Sequence, residues 1–504
     1  MSQNPYQSSH EQSKTTTANL GAKDVHLPPK RVLTRFDCVC IIVGTIIGAG
    51  IFKIPAIVSG KMPDVYWLAG VWIFGGVIAL IGALCFAELT TTYPDRGGDY
   101  GYLKRAYHPR FGFAFSWTAF WVIRPGNIGA MAMVFGKFAG QAFPNSLSEF
   151  LYAVIGVVTI TITNLLGIRV GKTALNILTV AKVLGIMLIV VSAFVFGSRQ
   201  SESKAVPETS AAPVIATATS TGVANTVVPK MVPQEAETSP LTDGRFWLAL
   251  MFVMFAFGGW NDIAFMTSEA KEPKKNLLPS LVIGTSVVLF VYLLINCALV
   301  YGFGFEDMAA RGQQYKSATA AMINNNMGET GNRIFSLVVC VSCLGAINAM
   351  ILTSPRIYWA TAIDYPSLQW LAGSGKERGW WRAMVLQAVV TLLLIGTLGN
   401  STDGFENIVA ATAPYFWLFL AATIVSLVVN RIRYKGQFDG FRIPFGPLFP
   451  IIFVLTCVFM TYMALDYMVE KKLEIPTAGI GGWVIVGAIL SFFLKSSISK
   501  EVKS

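Results

Sequence analysis

Residues 40 to 52 read CIIVGTIIGAGIF, with Pro55 just beyond. The apolar run predicts a membrane-spanning helix over about 36 to 58, yet Gly44, Gly48, Ala49 and Gly50 fall at its middle, where each glycine weakens a helix by ~1 kcal/mol. Gly44 and Gly48 make a G-x-x-x-G face suited to close helix packing; the same glycines also mark a place where the helix can unwind. A second stretch weighs on that choice. Residues 255 to 261, FAFGGWN, put Gly258 and Gly259 inside another apolar segment at about 246 to 268. Paired interruptions, one opening each five-helix half, are the pattern of inverted-repeat transporters whose substrate sits at the two breaks.

The rest of the chain supports this setting. Of 504 residues, 54% are hydrophobic and 13% are charged, about half the charge of an ordinary soluble protein. Twelve spans of ~20 residues use roughly 240, close to the apolar total, which leaves little for a separate soluble core. The apolar segments lie at about 36–58, 66–90, 110–140, 149–167, 176–197, 246–268, 278–303, 334–360, 383–399, 407–430, 446–468 and 477–494. The fold class expected is an all-α integral membrane protein of twelve transmembrane helices. The chain divides into a disordered cytoplasmic tail (1–35), a first repeat of spans 1 to 5 (36–197) and a flexible external loop (198–245). A second repeat of spans 6 to 10 (246–430) is followed by spans 11 and 12 with the carboxyl end (431–504). Most of the 39 Lys and Arg residues lie in the tail, in the loops after even-numbered spans and at the carboxyl end. By the positive-inside rule both termini face the cytoplasm, and the +11 net charge needs no nucleic acid to explain it. The 198–245 segment is rich in Ser, Thr, Ala and Pro, a composition that cannot offset its ordering entropy by burial; it reads as a spacer, with a partner-binding or gating segment as the alternative.

Several chemistries are excluded. The seven cysteines, Cys38, Cys40, Cys85, Cys297, Cys340, Cys343 and Cys457, all fall in apolar runs, which argues against a disulfide framework. His10, His26 and His108 lie outside the spans, and no metal-ligand cluster or catalytic triad stands at membrane depth. The expectation is no enzyme, no catalytic residues, no metal and no cofactor.

The breaks suggest a ligand. Unwinding frees backbone amides, and the amino end of the following half-helix carries partial positive charge, a setting for a carboxylate. Unpaired carbonyls near Phe255 and Gly258 suit an ammonium group. One site offering both fits an amino acid zwitterion, with glycine admitting substrate close to backbone.

Five stretches carry a family likeness: residues 43–52 (VGTIIGAGIF); CFAEL at 85–89 followed by GGDY at 97–100; IRP at 123–125; FAFGGWN at 255–261; and SCLGAIN at 342–348 with TSPR at 353–356. In this order they resemble the amino acid-polyamine-organocation (APC) superfamily, and within it the L-type amino acid transporter branch, over about residues 33 to 495 without the 198–245 insertion. The resemblance implies two inverted five-helix repeats with broken helices 1 and 6, plus two further helices, and alternating-access transport of an amino acid substrate across the lipid bilayer. It implies that Thr45, Ile46, Ile47, Gly48, Ala49 and Gly50 line the carboxylate side, that Phe255 gates the substrate, and that Gly258 with Gly259 receives the ammonium. Ala49 departs from the family, where serine is usual, and so removes one hydroxyl. The loop between spans 3 and 4 (144–148, PNSLS) has no cysteine, so no disulfide-linked accessory subunit is expected.

Ionisable residues at membrane depth are costly and functional by default. For Lys182 in span 5, snorkelling to the headgroups stands beside the family reading, in which this lysine points at the unwound part of span 1, takes the place of sodium and is a candidate for proton exchange. Arg124 in span 3 is expected to pair with a carboxylate or backbone carbonyls. Asp262, just past the second break, has three open readings: a proton site, a counter-charge for a cationic substrate, or a solvated vestibule residue. Glu88 reads as structural. Lys182, Phe255, Trp260 and Asp262 are thus the gating and coupling set, and Asn127, Ser342 and Tyr415 mark a possible distal pocket.

These readings converge on a sodium-independent secondary transporter of neutral L-amino acids in the cell membrane, working by exchange or proton coupling. The alternatives are a carrier of cationic amino acids or polyamines, and an amino acid sensor.

Overall fold

A computed structural model describes residues 31–494 apart from 95–96, 145, 204–238, 243, 312–316, 373–379, 399–403, 435–439 and 471–473. The chain is helical throughout its spans, and the described residues contain no strand beyond one isolated bridge between Leu33 and Ala270. Among the described residues eight helices are long and apolar enough to cross a membrane, and a bent pair, Arg35–Ile46 with Gly50–Ser59, makes a further span. Two shorter apolar helices, Glu149–Leu165 and Gly479–Phe493, serve as spans 4 and 12. Span 3 runs as Pro109–Thr118, a π-helical segment Ala119–Ile123, and Arg124–Ala142. With it the count reaches the twelve helices of the expected fold.

Spans 1 and 6 cross in opposite senses. The first half of span 1, Arg35–Ile46, packs on the second half of span 6, Trp260–Glu269, while Gly50–Ser59 packs on Arg245–Ala256. Span 2 (Val65–Thr92) packs on span 7 (Pro273–Phe303), and span 3 on span 8 (Met327–Asp364). Pairing of spans 1, 2 and 3 with their counterparts five spans later is the packing that an inverted repeat produces. The helix of span 5 runs Ile168–Ser203, past the boundary expected at 197; most of the loop beyond it, and the tail before residue 31, lie outside the described residues.

The start of span 1 is fixed by local chemistry. Thr34 caps the helix, with Asp37 N–H donating to its hydroxyl at 3.3 Å and Thr34 N–H donating to the Asp37 carboxylate at 2.8 Å, a capping box. Lys172 and Asn176 of span 5 also donate to Asp37, at 2.8 and 2.7 Å. Val32 and Leu33 N–H donate to Glu269 O, and Arg356 holds the buried Glu269 side chain at 2.9 Å. These contacts bind the start of span 1 to the end of span 6. Glu88, read as structural, accepts from Arg431 Nε at 2.6 Å and from Ile443 N–H at 2.8 Å, joining span 2 to the segment around span 11.

Candidate substrate cavity

Span 1 stops being helical at Ile47, whose backbone is extended (φ −75°, ψ 94°), and resumes at Gly50 after a bend of 49°. The helix that follows is capped by Ala49, which has no side-chain acceptor, so among the described residues the N–H groups of Gly50 and Ile51 keep no partner, while Phe52 N–H turns back to Ala49 O at 3.2 Å. Span 6 breaks between Ala256 and Trp260, with Gly259 at φ +115°. Only glycine adopts that region without strain. A Cβ at Gly259 would also lie 3.1 Å from the backbone of Thr45, so this glycine brings the two breaks into contact.

Side chains from neighbouring spans hold the orphaned carbonyls. The Lys182 ammonium, fully buried, donates to Gly44 O at 3.0 Å and to Ile47 O at 2.7 Å. Ser342 of span 8 donates to Gly48 O at 3.1 Å. Tyr292 of span 7 lies between the breaks, its hydroxyl 3.2 Å from Ile46 O and 3.0 Å from Ala256 O. The Thr45 hydroxyl, 2.8 Å from Ile41 O in its own helix, stands 3.0 Å from Gly259 O. Buried polar groups left unmade cost ~1–3 kcal/mol each, and these donors remove that cost at four points of span 1.

One cavity lies between the breaks, lined by Thr45, Ile46, Gly48 and Gly50 of span 1 and by Phe255, Gly258 and Gly259 of span 6. Ile47 and Ala49, expected on the same wall, are buried and turned away from it. Gly44 is a packing glycine: a Cβ there would stand 2.9 Å from Thr179 of span 5, whereas one at Gly48 would meet Met131 across the cavity. The cavity continues to Arg124 and Asn127 of span 3, Asp262 of span 6, and Thr412, Ala413 and Phe416 of span 10.

Three residues fall elsewhere than expected. Trp260 packs edge-on against Phe86 and Phe453; the turn at Gly259 aims its indole into the slot left by Gly82, where a Cβ would be 2.6 Å from the ring. Tyr415 is one residue from Phe416, about 100° around the helix. It faces Gly481 of span 12. Ser342 is fully buried and supports the span 1 break without lining the cavity. Lys182 does not snorkel. Asp262 is not solvated: it is 3% exposed and pairs with Arg124 at 2.7 Å, so its charge is already compensated.

Sequence reading missed Tyr292 and the π-helical turn Ala119–Ile123, which ends where Arg124 begins. Such turns are frequent at functional sites. A tyrosine inside an apolar span was the available signal for the first. The pairing of Cys340 and Cys343 in sequence has no chemical counterpart, since both are buried free cysteines. Among the described residues no group of three or more His, Cys, Asp or Glu is placed to hold a metal.

Comparison with known proteins places this arrangement. A family model described as amino acid permease matches residues 33–489. The b(0,+)-type amino acid transporter 1 of Mus musculus is 28% identical over 428 residues, 84% of this chain and 80% of that protein. The serine/threonine exchanger SteT of Bacillus subtilis (strain 168) is 26% identical over 436 residues, 86% of this chain and 90% of its own. Large neutral amino acids transporter small subunit 2 of Homo sapiens is 28% identical over 464 residues, 90% and 78% respectively.

Proposed function

The chain belongs to the amino acid permease family of membrane transporters, and from that premise we propose that it is a sodium-independent carrier of neutral L-amino acids working by alternating access. The observation that carries the reading is the single cavity bounded by both breaks, with the uncapped start of Gly50–Ser59 on one wall and Gly258 and Gly259 on the other. The substrate carboxylate meets the free N–H groups of span 1; its ammonium meets the carbonyl side around Phe255 and Gly258; Phe255 closes over it.

Sodium independence rests on Lys182. Its ammonium engages Gly44 O and Ile47 O, carbonyls of the kind that would otherwise coordinate a cation at an unwound helix. With both carbonyls already taken by the Lys182 side chain, no place is left for sodium. Exchange is the preferred mode, in keeping with the exchanger among the relatives; a relative named for large neutral amino acids supports the substrate class. The compensated charge of Asp262 weakens the case for a cationic substrate. We place the carrier in the cell membrane with both termini cytoplasmic and without a disulfide-linked accessory subunit.

Purified protein in liposomes should take up radiolabelled neutral amino acids in sodium-free buffer, and uptake should require amino acid loaded inside. Uptake into empty vesicles driven by an inward proton gradient would replace exchange with symport. A folded preparation that moves no amino acid would overturn the reading altogether.

A further inference from the structure

Arg124 and Asp262 are 4% and 3% exposed, yet both line the cavity. A buried ion pair repays its desolvation only when its remaining donors and lone pairs are also met. Here they are not. Arg124 carries five N–H donors, and among the described residues its one hydrogen bond is Nη1 to Asp262 Oδ2 at 2.7 Å. Oδ2 also takes a long contact of 3.4 Å from Thr353, while Oδ1 accepts nothing. None of these open atoms is among the buried, sealed, unpartnered ones, and both residues line the cavity. The Phe265 ring, 4.6 Å from the guanidinium carbon, fixes the guanidinium, and Asn127 stands on the same helix face three residues on.

We propose that Arg124 and Asp262 form the side-chain subsite of this carrier and read a carboxamide, the side chain of glutamine or asparagine. The carboxamide oxygen accepts from Arg124 and its NH2 donates to Asp262 Oδ1. A carboxylate would face Asp262, an ammonium would face Arg124, and a thioether or alkyl chain would leave both unmet; a hydroxyl offers both functions only on one atom, and an imidazole offers them on a bulkier ring. The local charge agrees. Asp99, buried at the start of the helix Asp99–Ala106 between spans 2 and 3, interacts with both members of the pair, and burial pushes its carboxyl up to about 8; neutral near pH 7, it leaves the pair balanced. The inference rests on the amino acid transport proposed above and adds the choice of side chain.

The test is a competition panel on reconstituted wild-type protein in sodium-free buffer with labelled leucine as tracer. Glutamine should compete at least ~tenfold more strongly than methionine, of similar length, and asparagine more strongly than isosteric leucine, a ratio corresponding to one hydrogen bond to a charged group. In the double variant Arg124→Met with Asp262→Leu, which removes both charges together, the glutamine-to-methionine ratio should fall to near one. The same ratio read from ligand-induced thermal shifts of purified protein serves if the variant transports too slowly. Leucine transport with equal competition by glutamine and methionine overturns the subsite and leaves the carrier reading intact; so does a preference that survives the double variant. Absence of any uptake by folded wild-type protein overturns both.

Discussion

The two breaks that face each other across the cavity are held in different ways. The span 1 break is braced from outside: Lys182, Tyr292 and Ser342, from spans 5, 7 and 8, take up its carbonyls, while the N–H groups of Gly50 and Ile51 are left open. The span 6 break has fewer external supports. It turns on Gly259, shares Tyr292 and Thr45 with span 1, and closes on itself through Gly258 N–H to Phe255 O at 3.2 Å. It also continues directly into Asp262 and the ion pair. A rigid first break suits the part common to all amino acids, the carboxylate. The less braced second break, coupled to a charged pair, suits the part that differs among them. The contrast predicts that losing a brace of span 1 damages transport of every substrate, whereas changes around span 6 divide substrates from one another.

Lys182→Met is the most severe way to break this contrast. Gly44 O loses its donor and Ile47 O keeps only a weak one, Ser342 at 3.4 Å. Two under-satisfied buried carbonyls cost ~2–4 kcal/mol, enough to lower the population of the competent break by about 100-fold. Uptake in liposomes should fall by that order for all neutral substrates alike, with a lower melting temperature in detergent. A variant that lost one substrate and kept the others would remove the assignment of span 1 to the shared part.

Gly259→Ala comes next. A side chain at φ +115° costs of order 1–3 kcal/mol, and the added methyl would press on the Thr45 backbone at 3.1 Å. Uptake should drop by roughly tenfold to a hundredfold, by unequal factors for different substrates. Tyr292→Phe tests the link between the breaks with no change in shape. Losing one donor shared by Ile46 O and Ala256 O should cost ~1–2 kcal/mol, seen as a lower melting temperature and a rise in KM common to all substrates.

The sequence made the spans legible because a membrane helix needs a long apolar run, and the breaks legible because glycine at that depth has few other uses. Lys182 was visible as a charge, and its orientation was implied by family likeness. Arg124 and Asp262 were visible separately, but they are 138 residues apart, and only the crossing of span 3 with the broken span 6 joins them. For Trp260 and Tyr415 the right segment was identified and the wrong face: one residue on a helix is about 100°, and which face points inward depends on neighbours such as Gly82 and Gly481.

Ala49 gives the smallest expected effect and the finest test of the contrast. Serine is the usual residue here in the family, and its absence reads from sequence as a lost hydroxyl for the substrate. The geometry gives it another place: Ala49 is 1% exposed, does not line the cavity, and sits at the N-cap of Gly50–Ser59. A serine there accepts from the N–H of residue 51 or 52 once residue 49 turns from its helical backbone (φ −79°, ψ −16°) to the extended one of an N-cap, so its gain stays at or below ~1 kcal/mol. Ala49→Ser should therefore raise the melting temperature of the ligand-free protein by a few degrees and change KM by less than about threefold. A tenfold fall in KM at constant stability would mean that residue 49 faces the substrate, and that the carboxylate is read by side chain as well as by the open amides of span 1.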